Sequence, residues 1–118
     1  MDDVAADAAR AAAQALAGEL GSQLPDDVET IVRAREDATV DQYVLDPISL
    51  AGLIVSAASF AWTIYRDLKT KTDTPARDVI ERRVRVKVRD SQLDAPPAPR
   101  DRIIEVVVTE IMRSTEPG

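Results

Sequence analysis

From Ile48 to Tyr65 the chain reads ISLAGLIVSAASFAWTIY, without one charged side chain. Asp46 closes this stretch on one side and Arg66 on the other. As a helix it would extend roughly 27 Å at about 1.5 Å per residue, close to the ~30 Å hydrocarbon core of a bilayer. Leu50, Leu53, Ile54, Val55, Phe60 and Ile64 surround most of the helix, which is the pattern of full burial or of lipid contact. Two settings fit: a single transmembrane span, or the central buried helix of a small bundle.

Helical patterns flank this segment. Val4, Ala8, Ala12, Leu16 and Leu20 form a thin apolar stripe over Ala5–Leu20. Asp2, Asp3 and Asp7 suit the N-terminal end of that helix, and Gly18 and Gly21 weaken or end it. A stripe made almost wholly of methyl groups predicts a loosely held helix. Pro25, followed by Asp26, Asp27 and Glu29, marks a second helix start, with Val28, Ile31 and Val32 as its apolar face. Thr39–Leu45 reads as extended chain or linker, and Pro47 fits the first turn of the apolar helix.

After Leu68 the sequence LKTKTDT breaks the pattern, and Asp73 or Thr74 can cap a helix with Pro75 in its first turn. From Ala76 to Val88 two periods compete. Ile80, Val84 and Val88 recur every four residues, as in a helix. Val84, Val86 and Val88 also alternate with Arg85, Lys87 and Arg89, as in a short strand. Helix is the better reading, because a lone strand needs a pairing partner. The residues DAPPAPR predict a proline-rich linker. Over Arg102–Arg113, Ile103, Ile104, Val107, Val108, Ile111 and Met112 share one face, and Val106 alone falls off it.

The fold class expected is therefore mainly α, with a central strongly apolar helix and a C-terminal amphipathic helix. Along the chain this gives an acidic, alanine-rich helical region over 1–46 and the apolar helix over 47–68. A basic helix over 69–93, a linker over 94–101 and the amphipathic helix over 102–114 follow.

Charge sharpens the membrane reading. Residues 1–46 hold eleven acids and three arginines, for −8, whereas residues 66–90 hold nine bases and five acids, for +4. Bases beside a span stay cytoplasmic, which predicts a single-pass protein with a cytoplasmic C-terminus. The alternative location is cytoplasmic and soluble. Trp62 and Tyr65, followed by Arg66, Lys69 and Lys71, fit interfacial anchors; in a soluble bundle they would cap a core. Ser49, Gly52, Ser56, Ser59 and Thr63 are spaced 3, 4, 3, 4, the seam spacing of two helices in close contact. Arg82, Arg83, Arg85, Lys87 and Arg89 would meet anionic lipid headgroups. That stretch lacks the aromatic interleaving expected for nucleic-acid binding. The segment DPISLAGLIVSAASFAWTIYRDLK resembles short bacterial membrane proteins in general, and no functional residue follows from that resemblance.

The chain has no cysteine and no histidine. It therefore lacks thiol chemistry, nitrogen- or sulfur-ligated zinc and the commonest general base. Four glycines form no phosphate-binding loop, and no serine has a base to activate it. No catalytic residue, cofactor, metal or small-molecule substrate is expected. The acidic, alanine-rich first residues do not read as a secretory signal.

Three functions fit. The first is a membrane-anchored adaptor acting by helix–helix contact or self-association, with Ile103, Ile104, Val107, Val108, Ile111 and Met112 docking a protein partner. The second is a soluble helical protein-binding module of the antitoxin or adaptor kind. The third is an oligomeric membrane-permeabilising effector with the hydroxyl stripe lining its pore.

Overall fold

A computed structural model describes residues 2–36, 50–91 and 96–115. These residues form five helices: α1 (Asp3–Leu20), α2 (Leu24–Glu36), α3 (Leu50–Lys69), α4 (Arg77–Asp90) and α5 (Pro97–Thr115). Helices α1, α3 and α5 pack on one another in a triangle. Helix α2 lies against α1 and α3, and α4 lies against α3 and α5, so the two outer helices do not touch. The radius of gyration is 13.3 Å, near the ~13 Å of a folded chain of about 100 residues.

The apolar segment owes its character to its neighbours. Helix α3 packs against all four other helices, and every residue from Ala51 to Ala58 is buried. Protein side chains take the place that lipid would otherwise fill. Among the described residues no helix is long and apolar enough to cross a membrane, so none of them supports the expected transmembrane span. The charge-free part of α3 runs only from Leu50 to Tyr65 before Arg66, Asp67 and Lys69 complete the helix. Ile48, together with the expected extended segment Thr39–Leu45, lies outside the described residues.

Helix α1 is held more firmly than its small side chains suggest. Asp2 caps it, its Oδ1 accepting from the Val4 N–H at 3.0 Å. Ala5, Ala6, Ala8, Ala9, Ala12, Ala13 and Leu16 are all buried, and the helix touches α2, α3 and α5. Alanine buries little area, but its size lets helix axes come close. Gly21 ends α1 with φ 140°, while its N–H donates to the Ala17 carbonyl at 3.1 Å.

In α4 the four-residue period prevails. Ile80, Val84 and Val88 are fully buried, whereas Val86 is 41% exposed. The strand alternative over Val84–Val88 is thereby excluded, since a strand would put all three valines on one face. Neither Asp73 nor Thr74 caps α4; Ala76 occupies that position without a side-chain bond.

Helix α5 begins earlier than expected. Pro97 and Pro99 fall in its first turn, where a missing N–H costs nothing, so residues 97–101 are helix rather than linker. Val106 is buried along with Ile103, Ile104, Val107, Val108 and Ile111. It is not misplaced, because α5 is covered by three helices and presents a buried surface wider than one stripe.

Ion pairs bind the helices across the surface. Arg10 of α1 meets Glu29 of α2 at 2.7 Å, Arg85 of α4 meets Asp101 of α5 at 3.3 Å, and Arg102 of α5 meets Glu19 of α1 at 2.9 Å. The acidic N-terminal half thus receives arginine from the far end of the chain.

Candidate functional site

Two concave features carry the chemistry. The first is a groove between α3 and α4 of about 480 Å³, within the roughly 300–1,000 Å³ of typical ligand pockets. Ile64 and Val86 supply its apolar surface. Val86 is the exposed large hydrophobic side chain among the described residues. Arg82, Arg83 and Lys87 stand around it, together with Asp67 and Asp90. Asp67 is shared by Arg83 at 3.6 Å and Lys71 at 3.5 Å. Arg82 and Lys87 form no ion pair with a described residue, which leaves the rim net basic.

The second is a pocket of about 330 Å³ between α3, the end of α2 and the start of α1, lined by Asp2, Ala5, Arg35, Ser59, Trp62 and Thr63. Arg35 donates from Nη1 to Ser59 Oγ and from Nη2 to Ser56 Oγ, both at 3.4 Å. Both acceptors are neutral and both bonds are long. Arg35 remains exposed on one side, yet the protein around it removes enough water to lower its pKa from the ordinary arginine value. Trp62 Nε1 is buried without a hydrogen-bond partner. An orphaned buried donor costs about 1–3 kcal/mol.

The residues expected to form a helix-contact seam divide between these environments. Gly52 and Ser56 are buried, Ser59 is half-buried and Thr63 is exposed, while Ser49 lies outside the described residues. Ser56 and Ser59 meet Arg35 of the same chain. The expected interfacial anchors form a cluster at the C-terminal end of α3. Trp62 and Tyr65 stack with ring centroids 5.9 Å apart, and the Arg66 guanidinium lies 5.9 Å from the Trp62 ring centre. Lys69 Nζ donates to the Asp73 carbonyl at 2.6 Å, and Lys71 pairs with Asp67.

The surface assigned to a docked partner is covered by the chain itself. Ile103, Ile104, Val107, Val108 and Ile111 are fully buried against α1, α3 and α4. Met112 is half-buried beside a cleft that Tyr65 and Pro75 also line. The basic stretch divides too. Arg82, Arg83 and Lys87 face the groove, Arg85 bonds Asp101 and Arg89 is exposed.

Arg35 was not among the candidates from sequence, and nothing in its local context separates it from Arg33. Val86 had a readable signal, as an apolar residue off the Ile80–Val84–Val88 stripe. Among the described residues no group of three or more acids could hold a metal ion. Comparison with known proteins yields no relative: no family model, curated protein or solved structure matches the chain.

Proposed function

We propose that this chain is a non-enzymatic helical protein-binding module whose α3–α4 groove receives an acidic amphipathic helix from another protein. The observation that carries this reading is Val86, a solvent-exposed valine set among Arg82, Arg83 and Lys87 over an apolar groove. An aliphatic stripe would bury against Ile64 and Val86, and flanking carboxylates would meet the basic rim. The bundle supplies a rigid support, since the side chains on the opposite face of α4 are fully buried.

The test is fluorescence polarisation with two synthetic amphipathic helices, one flanking its aliphatic stripe with glutamates and the other with lysines. The glutamate peptide should bind saturably and weaken as salt rises; the lysine peptide should not bind. Val86→Asp should weaken binding by roughly tenfold or more without unfolding the protein, because the position is exposed. Equal binding of both peptides, or unchanged binding by Val86→Asp, overturns the reading. Light scattering that shows a dimer lost on Val86→Asp would instead assign the groove to a second copy of the chain.

A further inference from the structure

We infer that the pocket bounded by Arg35, Trp62, Ser59, Thr63 and Asp2 binds the carboxylate of a small organic monoanion, with Arg35 as its anchor. A guanidinium presents five donors in a planar fork that matches a carboxylate in two parallel hydrogen bonds. Arg35 places two donors on serine hydroxyls at 3.4 Å and forms no ion pair with a described residue. Every other arginine bonded to a neighbouring helix here, Arg10, Arg77, Arg83, Arg85 and Arg102, also meets a carboxylate. The surrounding protein disfavours the Arg35 charge by desolvation, a cost that an incoming carboxylate offsets.

The rest of the lining sets the ligand class. The Ser59 and Thr63 hydroxyls offer both donors and acceptors. Trp62 adds an aromatic wall and carries the buried, unpartnered Nε1–H. Asp2 is the opposing feature, a carboxylate on the same cavity. Its charge offsets that of Arg35, so a dianion gains little net attraction to set against a hydration cost that grows with the square of the charge, which selects against inorganic phosphate. The volume of about 330 Å³ suits a molecule of a few carbons. This site uses residues other than those of the α3–α4 groove, apart from Thr63, which lines both.

Trp62 is the single tryptophan of the chain, so its emission reports on this pocket. The test titrates the full chain with sodium pentanoate, butylammonium chloride and inorganic phosphate at constant ionic strength. Pentanoate should change the Trp62 emission saturably, and the other two should not. Arg35→Gln should raise the apparent Kd for pentanoate by roughly tenfold or more, the loss of one charge-assisted contact. Circular dichroism should show the wild-type helix content in that variant. Asp2→Asn, which keeps Arg35, should admit phosphate. An unsaturated pentanoate response, phosphate binding to the wild type as tightly as pentanoate, or an unchanged Kd in a folded Arg35→Gln protein overturns the proposal.

Discussion

Arg102 of α5 and Glu19 of α1, 83 positions apart in sequence, form a forked ion pair, with Nη2 to Oε1 at 2.9 Å and Nε to Oε2 at 3.2 Å. The hydrogen bond from Arg102, and then its charge, hold the Glu19 carboxyl below the usual carboxylate range, and Arg102 is correspondingly raised. A carboxylate with a depressed folded-state pKa stabilises the protein above its unfolded pKa, and that contribution is lost as pH falls through the folded value. Glu19→Gln should therefore lower Tm slightly at neutral pH and low salt. The difference from wild type should fade with added salt and vanish once the pH drops below the carboxylate range. A difference that persists in acid or high salt would mean that Glu19 acts through packing instead. The effect is small because both groups are solvent-exposed.

Burial of α5 leads to a different outcome for its apolar face than partner docking would. Val107→Asp together with Ile111→Asp places two charges where no water reaches, since both positions are fully buried. The double variant should lose helicity by circular dichroism and become protease-sensitive without any partner present. Ile104→Ala, which leaves a void and no charge, should cost about 2–5 kcal/mol in urea unfolding. A folded, stable double variant would show that this face is not part of the core.

The alanine face of α1 should be intolerant of bulk. Ala9 and Ala12 are fully buried on a helix that meets three others. Ala9→Leu should destabilise by about 1–3 kcal/mol through overpacking, although leucine is more hydrophobic and nearly as good a helix former. Ala15→Leu, on the exposed side, should change stability by less than about 0.5 kcal/mol. Equal effects at the two positions would indicate that α1 is loosely attached.

The two glycines of α1 should respond to alanine with opposite signs. Gly18 is an exposed helical position where an added Cβ meets nothing within 4 Å. Gly18→Ala should stabilise by about 0.5–1 kcal/mol, because alanine loses less backbone entropy in a helix. Gly21 has φ +140°, and its Cβ would approach the Gln23 side chain at 3.2 Å. Gly21→Ala should destabilise by about 1–3 kcal/mol. Chemical denaturation of both variants checks the pair, and a common sign would contradict the assigned end of α1.

Helix content was legible in the sequence wherever one period stood alone. The apolar stripe of Ala5–Leu20, the proline-and-acid start near Pro25 and the amphipathic face of Arg102–Arg113 each correspond to a helix. These signals are local, set by side-chain spacing and by groups at helix ends. Sequence also restricted the chemistry, since a chain without cysteine or histidine has no thiol nucleophile and no imidazole general base. It left open what surrounds the apolar segment, because lipid and protein side chains demand the same hydrophobic surface. In the folded chain four helices lie around α3. Tertiary packing chose helix over strand for α4, since burying Ile80, Val84 and Val88 together requires the period of four and turns Val86 outward. The groove beside Val86 and the pocket at Arg35 arise only from that packing. Each joins residues from separate helices, and spacing along one helix carries no information about which neighbour will lie against it.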